Sequence, residues 1–157
     1  MKALIIHGPN LNLLGRREPH LYGLMTLEEI NAGIEEWAYK NGWEIASAQC
    51  NSEGEIIEKI HGACGCQDLI LLNPAAYTHT SLAIADALRA VGVPAIEVHL
   101  TNIFAREESR RVSLTAPACV GLVCGFGMMS YILALEAGAQ LLSEANPDIL
   151  GRKSEGE

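Results

Sequence analysis

The length, composition and charge of this chain exclude several classes of protein. Its 157 residues suit a single domain, and a hydrophobic content of 49% is enough to fill one core. The net charge of −8 argues against a nucleic-acid partner, because phosphate binding requires a basic surface. The sequence contains neither a signal peptide nor an apolar run of the roughly 18 residues that a membrane helix needs, so we expect a cytoplasmic protein.

Strand and helix patterns alternate along the chain. Lys2 to His7 is a nearly continuous apolar run, which is typical of a strand buried on both faces. Thr26 begins a capping box, and apolar residues at helical spacing then predict a helix that ends at Asn41 and Gly42. By the same criteria, further strands are predicted at 43–50, 68–73, 94–100 and 118–124, further helices from Ser52, at 81–91 and at 128–142, and a short helical turn at 106–111.

Five strands that alternate with helices predict a three-layer α/β fold, in which helices cover both faces of a parallel sheet. We predict the flavodoxin-like strand order 2-1-3-4-5 with right-handed crossovers. In the third helix, Leu82, Ala85 and Leu88 are expected to face the core. A single domain is expected to span residues 1–144, followed by a disordered tail at 145–157.

Polar residues follow three of the predicted strands. The first strand ends at His7 and leads into Gly8-Pro9-Asn10, the third ends at Asn73, and the fourth ends near Glu97 and His99. In open parallel sheets, ligands bind beyond the carboxyl ends of the strands, near the point where the strand order reverses. These clusters are distant in sequence and therefore predict one site at that edge of the sheet.

The fourth strand carries a carboxylate and an imidazole. Glu97 and His99 differ by two positions, so they point to the same face of the sheet. A carboxylate beside an imidazole orients the ring and makes it a good general acid. From the residues alone, a structural histidine is an equally good interpretation. His79 and Asp86, taken alone, are typical of helix caps or surface groups, and His7 shows no comparable pairing.

The connection after the first strand, residues 8–23, is long, because such connections usually have roughly two to six residues. Long loops in compact domains are often lids or binding loops, and Gly15 and Gly23 are placed to act as hinges. Arg17 precedes Tyr22 on this loop, and an arginine in a closed site can stabilise a tyrosinate that acts as a base. A surface tyrosine is the alternative interpretation.

The arginines are concentrated in an otherwise acidic chain. Five of the seven lie in two short segments, at 16–17 and 106–111. This pattern indicates an anion site, although solvated surface arginines would give the same pattern. We expect no cofactor and no metal, because the sequence has no HxH or HExxH spacing, no phosphate-binding P-loop and no dinucleotide fingerprint.

The five cysteines lie among apolar or small residues. We expect them to be free, buried thiols, as in proteins of a reducing compartment. Cys64 and Cys66 form a CxC pair, which differs from the CxxC of a metal or redox site, and we assign it no role.

Three long segments resemble the signature segments of type II 3-dehydroquinate dehydratase. They are GPNLNLLGRREPHLYG at 8–23, NPAAYTHTSLAIADAL at 73–88 and IEVHLTNIFAREESRR at 96–111, in the order and at the spacing of that family. The resemblance covers roughly residues 1–142. It implies a flavodoxin-like subunit, a homo-dodecamer built as a tetramer of trimers, and a cofactor-free anti elimination of water from 3-dehydroquinate through an enolate.

The resemblance also implies catalytic roles. Tyr22 would be the base that takes the proton from C2 of the ring, and Arg17 would keep it ionised. Asn10 would hold a water that stabilises the developing enolate oxygen. His99 would donate a proton to the leaving C1 hydroxyl, and Glu97 would orient the His99 ring.

Binding roles follow in the same way. By resemblance, Asn73 and the backbone amides of Leu100 and Thr101 would hold the substrate carboxylate. His79 and Arg110 would bind the ring hydroxyls.

Two further residues are implied to act in the assembled enzyme. By resemblance, Arg106 would add positive charge near the base, and Asp86 would reach into a neighbouring subunit's site. The chain departs from the family pattern at Phe104, at Ser109 and over 112–116. These departures concern the rate and the packing between subunits more than the reaction.

Other interpretations are weighed against the dehydratase. A flavodoxin-like small-molecule binding module without this activity would predict a phosphate loop or a bound chromophore, and the sequence has no such loop. A relative that acts on another cyclic polyol acid would keep the same scaffold. The unrelated type I enzyme uses a Schiff-base lysine, and none of the four lysines follows a predicted strand's carboxyl end. Both aromatic biosynthesis and quinate breakdown use this reaction, so the sequence leaves the pathway open.

Overall fold

The computed structural model describes residues 1–16 and 24–144. In chain order, the strands are β1 Lys2–His7, β2 Glu44–Gln49, β3 Leu69–Asn73, β4 Ala95–His99 and β5 Gly121–Cys124. The helices are α1 Leu27–Asn41, α2 Glu53–Gly62, α3 Leu82–Val91 and α4 Met129–Ser143. Short 3-10 helices lie at Leu11–Leu13, Ala75–His79, Ile103–Ala105, Glu108–Arg110 and Ala116–Ala118.

The strands form one parallel sheet with the order β2-β1-β3-β4-β5. This confirms the predicted flavodoxin-like fold, in which the strand order reverses between β1 and β3. His7 is in register with Asn73, and Leu72 is in register with Glu97. The carboxyl ends of β1, β3 and β4 therefore meet at one edge of the sheet.

Helices bury both faces of the sheet, which explains why the central strands are apolar along their whole length. On one face, α1 and α4 pack over side chains such as Ile5 and Leu71. On the other face, α2 and α3 pack over Ile6, Ile70 and Leu72. Side chains of β1 and β3 thus alternate between two cores, and the result is a three-layer domain.

Two of the helices begin with the capping boxes that the sequence predicts. Thr26 caps α1 by accepting from the Glu29 backbone N–H, and the Glu29 carboxylate accepts from the Thr26 N–H in return. Ser52 and Glu55 form the same reciprocal pair at the start of α2. These capping boxes satisfy backbone donors that the first turn of a helix leaves unpaired.

Helix α4 lies close against β3, and a glycine makes this approach possible. A Cβ atom at Gly138 would clash with the Cδ2 atom of Leu69. The close contact brings the first turns of α4 over the carboxyl end of β3, where the ring of Tyr131 is buried.

The prediction that Leu82 faces the core is wrong, because its side chain is 64% exposed. The buried face of α3 is centred on Ile84 and Leu88. At 3.6 residues per turn, Leu82 lies roughly 200° around the helix from Ile84, on the solvent side. Ala85 and Leu88 are buried as expected.

Strand β5 starts at Gly121, later than predicted, because a 3-10 helix that contains Pro117 occupies the preceding residues. The predicted helical turn at 106–111 is a 3-10 helix of three residues, Glu108–Arg110.

The expectation of buried thiols holds for only part of the cysteines. All five are free, and Cys50 is buried, whereas Cys119 and Cys124 are half-buried. Cys64 and Cys66 are exposed, because they lie in the turns after α2 and not in a packed element.

Among the helices of the described residues, none has the length and apolar character that a membrane crossing requires. The predicted C-terminal tail at 145–157 lies outside the described residues.

Candidate active site

A pocket opens at the carboxyl edge of the sheet, where the sequence predicts a site. Apolar walls come from Leu11, Leu14 and Ile103. Mixed apolar and polar linings of this kind are usual for small-molecule sites. The pocket is also lined by most of the residues predicted for the site: Asn10, Asn73, His79, His99, Leu100, Thr101, Arg106 and Arg110.

Glu97 and His99 form a buried pair at the end of β4. The His99 Nε2 atom lies 2.7 Å from Glu97 Oε1. A carboxylate accepts hydrogen bonds, so Nε2 carries a proton and donates a hydrogen bond to Glu97. His99 lines the pocket, and its Nδ1 is the ring nitrogen left for a ligand. The strand places the two side chains on one face, as the sequence predicts.

Three hydroxyl groups surround the Glu97 carboxylate, which has no solvent exposure. Thr78 donates to Oε1 at 2.6 Å, Ser113 donates to Oε1 at 3.0 Å, and Thr115 donates to Oε2 at 2.5 Å. Burial alone would raise the pKa of Glu97, but the hydrogen bonds from His99, Thr115 and Thr78 outweigh it, and the pKa is lowered. Glu97 is therefore a buried anion that holds the His99 ring in place.

The three hydroxyls were not predicted from the sequence. Ser113 and Thr115 belong to the segment at 112–116 that departs from the family pattern. Isolated serines and threonines carry no signal of their partners, and their role depends on a long-range approach of this segment to β4. The backbone hydrogen bond from the Leu114 N–H to the Thr78 carbonyl, at 2.7 Å, fixes that approach.

Asn73 ends β3 with a fixed carboxamide. Its Oδ1 atom accepts from the Ala75 backbone N–H at 3.2 Å, and its Nδ2 atom donates to the Tyr131 hydroxyl at 3.1 Å. Ala75 has a left-handed backbone with φ of 51°, which is uncommon for a residue other than glycine. Strained backbone of this kind often accompanies functional sites.

Close backbone packing holds β1 and β3 together beneath the pocket. The Gly8 N–H donates to the Asn73 carbonyl at 2.7 Å. A Cβ atom at Gly8 would lie 2.7 Å from that same carbonyl oxygen, so only glycine fits without displacing the backbone.

His7 and Tyr131 are buried polar residues that the sequence prediction missed. His7 Nδ1 lies 2.9 Å from the Tyr131 hydroxyl, and His7 Nε2 lies 2.9 Å from Asn31 Oδ1. Burial lowers the pKa of His7 to about 4, although the Asn31 hydrogen bond opposes this shift. The imidazole is therefore neutral near pH 7. The sequence pattern of β1 does not indicate the partners of His7, because Asn31 lies on α1 and Tyr131 on α4.

Two arginines supply positive charge to the pocket. Arg110 Nε lies 2.6 Å from Glu107 Oε1, and Arg106 Nε lies 3.6 Å from Glu107 Oε2. Both guanidinium groups are partly buried, which leaves their interaction with an anionic ligand less screened than at an open surface. Two of the clustered arginines thus lie at the pocket, and an anion site there stays a prediction.

His79 and Asn10 line the pocket from two different connections, after β3 and after β1. The His79 Nδ1 atom donates to the Val112 carbonyl at 2.7 Å, which leaves Nε2 available to a ligand. Asn10 has a left-handed backbone with φ of 67°, and its N–H donates to Asn51 Oδ1 at 3.0 Å.

Of the predicted site residues that the structure describes, Glu97 and Asp86 do not line the pocket. Glu97 contacts His99 from behind the ring. Asp86 is exposed on α3 and pairs with Arg89 at 3.1 Å. Arg17 and Tyr22 lie outside the described residues. Within the described ranges, no group of three or more His, Cys, Asp or Glu side chains is placed to hold a metal ion.

The arrangement combines a general acid–base group with anion binding. His99 Nε2 is held by the Glu97 carboxylate, so Nδ1 is the atom that can take up a proton and pass it into the pocket. Arg106 and Arg110 provide positive charge, and Asn73 provides an amide N–H. These groups can bind a small anionic substrate and protonate a leaving group on it.

Comparison with known proteins identifies the family. The family model described as dehydroquinase class II matches residues 1–139. A 3-dehydroquinate dehydratase of Geotalea daltonii is 54% identical over 137 residues, which cover 87% of this chain and 95% of the relative. One from Caldanaerobacter subterraneus subsp. tengcongensis is 57% identical over 136 residues, covering 87% and 92%.

A solved structure agrees with these relatives. The crystal structure of type II dehydroquinase from Butyrivibrio crossotus superposes with a TM-score of 0.87 at 44% identity, covering 88% of this chain and 97% of that one. Sequence and fold agree over nearly the whole described part of the chain. The chain therefore belongs to the class II dehydroquinase family, and it is an enzyme of the hydro-lyase class.

Proposed function

We propose that this chain removes water from 3-dehydroquinate to give 3-dehydroshikimate. The observation that carries the proposal is the His99–Glu97 pair, joined at 2.7 Å, at a pocket that Arg106 and Arg110 also line. A dehydratase for an anionic substrate needs a proton donor beside a cationic binding surface. Relatives named 3-dehydroquinate dehydratase, at about half sequence identity, support the same substrate.

The proposed reaction is an anti elimination through an enolate. Tyr22, as a tyrosinate kept ionised by Arg17, takes the proton from C2, and the electron pair of that C–H bond moves toward the neighbouring carbonyl oxygen. A water held by Asn10 stabilises this enolate oxygen. Collapse of the enolate forms the C1–C2 double bond and breaks the C1–O bond. His99 protonates the leaving hydroxyl, so one water molecule departs.

The geometry of His99 supports its proposed role. Because Nε2 donates to Glu97, the proton for the leaving hydroxyl would come from Nδ1 of the doubly protonated ring. The Glu97 anion stabilises the positive imidazolium before transfer. No cofactor takes part in any of these steps.

The substrate is proposed to be held by groups around the pocket. Its carboxylate would bind Asn73 and the backbone amides of Leu100 and Thr101. Its ring hydroxyls would bind His79 and Arg110. His79 Nε2 is available for this contact because Nδ1 is engaged by the Val112 carbonyl.

The assembly and the biological setting are also proposals. A homo-dodecamer, a tetramer of trimers, would allow Asp86 to reach a neighbouring subunit's site, and Arg106 would add positive charge near the base. The exposed position of Asp86 on α3 is compatible with such a contact. We expect the enzyme to act in the cytoplasm, in aromatic biosynthesis through the shikimate pathway or in quinate breakdown.

The test is direct spectroscopy. The product's conjugated enone absorbs in the ultraviolet, and the substrate does not. We expect the enone band to grow when purified protein is mixed with 3-dehydroquinate, with no effect of borohydride pretreatment or of a chelator. A matched sample of His99→Ala should be slower by about 100-fold or more. A folded wild-type protein that binds 3-dehydroquinate without forming enone would instead favour a binding module.

A further inference from the structure

We propose that His7 and Tyr131 are positioning residues that fix the orientation of the Asn73 carboxamide toward the substrate. The three side chains, with Asn31 and Ala75 at the two ends, form a continuous chain of hydrogen bonds that we call the amide relay. His7, Tyr131 and Asn73 are each at most 3% exposed. The inference rests on the proposed function in one respect, because it assumes that Asn73 binds the substrate carboxylate.

The direction of every hydrogen bond in the amide relay follows from one backbone group. The Ala75 N–H can only donate, so the Asn73 atom that faces it is the oxygen. Asn73 Nδ2 therefore faces Tyr131 and donates to its hydroxyl oxygen. The Tyr131 proton then points to His7 Nδ1, which must be an acceptor. The remaining His7 proton is on Nε2 and is donated to Asn31 Oδ1.

This order leaves one N–H of Asn73 Nδ2 for a ligand in the pocket. If the carboxamide turned by half a rotation, its oxygen would replace the nitrogen and would repel a carboxylate. The amide relay opposes that rotation. The Tyr131 hydroxyl, whose proton is donated to His7, would then face the Asn73 oxygen without a proton between them. The Ala75 N–H would face the Asn73 NH2 group, so two donors would meet. Burial adds to the free-energy cost of the rotation, because water cannot replace the hydrogen bonds that these buried groups would lose.

The kinetic test removes one link at a time. We expect Tyr131→Phe to raise the KM for 3-dehydroquinate roughly fivefold to tenfold while kcat changes less. His7→Leu should do the same. His7→Asn should restore the wild-type KM, because its carboxamide oxygen can accept from the Tyr131 hydroxyl in place of Nδ1.

A double-mutant cycle shows whether the effect passes through Asn73. In an Asn73→Ala background, Tyr131→Phe should change KM by less than about twofold. An equal rise in both backgrounds would overturn the proposal. The control is Trp37→Phe, which loses a hydrogen bond to Glu136 between α1 and α4 and makes no hydrogen bond to the amide relay. It should lower stability and leave KM unchanged; a KM rise equal to that of Tyr131→Phe would also overturn the proposal.

A measurement on the resting protein does not depend on turnover. Nitrogen-15 NMR of the histidine rings, with His7 assigned by its absence in His7→Asn, should show a proton on Nε2 and a bare Nδ1 at neutral pH. A proton on Nδ1 would overturn the relay, whatever the substrate. Lack of enone formation together with the expected His7 tautomer would instead refute the proposed function and leave the relay standing.

Discussion

The imidazole of His99 borders the pocket, and the carboxylate of Glu97 lies behind it with no solvent exposure, 2.7 Å from His99 Nε2. A buried anion is stable only when its oxygens are paired. Glu97 meets this condition with His99 and three hydroxyl donors. The pair therefore has one group that faces the pocket, His99, and one fully buried group, Glu97, that holds it, and mutation can test the two separately.

Replacing Glu97 with glutamine should lower kcat by about 100-fold, because His99 loses the anion that supports its protonated form. The new amide group would also face hydroxyls that now donate to Glu97. Steady-state enone formation measures the effect. Glu44→Gln, on the exposed edge strand β2, is the matched control and should behave like wild type. A kcat for Glu97→Gln within twofold of wild type would show that His99 acts without its carboxylate.

Thr115→Val should reduce the free energy of unfolding by roughly 1.5–3 kcal/mol, because a nearly isosteric side chain removes one donor to a buried carboxylate. Thr115 has no solvent exposure and donates to Glu97 Oε2. Urea denaturation at pH 7 gives the value. Thr80→Val, at an exposed threonine, should change stability by less than about 0.5 kcal/mol. An equal loss of unfolding free energy in Thr115→Val and Thr80→Val would mean that the hydrogen bond from Thr115 to Glu97 does not stabilise the fold.

Tyr22→Phe should remove nearly all turnover while the fold and substrate binding survive, if Tyr22 is the base. The phenylalanine ring keeps the size of the side chain and loses the ionisable oxygen. Enone formation, circular dichroism and equilibrium binding of 3-dehydroquinate measure the three properties. Tyr39→Phe, at an exposed position on α1, is the control. Substantial turnover by Tyr22→Phe would assign the proton abstraction to another group.

The sequence predicted the features that depend on local pattern. Continuous apolar strands and capping boxes located β1, α1 and α2, and the alternation of elements gave the strand order. The same order brings Asn73 and His99 to one edge of the sheet, so the location of the pocket followed from topology. Their chemical roles stay predictions.

Features that depend on long-range contact could not be predicted. Ser113 reaches Glu97 because its segment folds back on Thr78, and no residue spacing encodes that contact. His7 looked unpaired because its partner Tyr131 lies 124 residues away in sequence. The error at Leu82 is different, since an apolar residue at the start of a helix fits more than one helical face.

Gly8→Ala should destabilise the protein by about 1–3 kcal/mol and raise KM, because the added methyl group would push the Asn73 carbonyl and Pro74 away from β1. Denaturation and steady-state kinetics measure the two effects. Gly54→Ala is the control, since nothing lies within 4 Å of a Cβ at this position in α2, and alanine favours a helix. Unchanged stability and KM in Gly8→Ala would show that this edge of the sheet can adjust freely.

Acid should weaken the fold through His7. Its pKa is about 4 in the folded protein, against an ordinary value of 6.5, and burial is the main cause. Between these pH values the unfolded chain binds a proton that the folded protein does not. The stability contributed by the neutral imidazole is therefore complete above about pH 6.5 and is lost as the pH falls toward 4.

The expected loss from His7 is about 3 kcal/mol between pH 6.5 and pH 4, because a pKa difference of one between the folded and unfolded chains corresponds to roughly 1.4 kcal/mol. Urea denaturation across this range should show a steep fall in stability for the wild type and a shallower fall for His7→Asn, which has no group that titrates there. His61→Asn removes an exposed histidine of α2 and should keep the steep wild-type slope. Parallel slopes for wild type and His7→Asn would mean that His7 is protonated equally in the folded and unfolded chains, and the neutral imidazole that the amide relay requires would then be absent at mildly acidic pH.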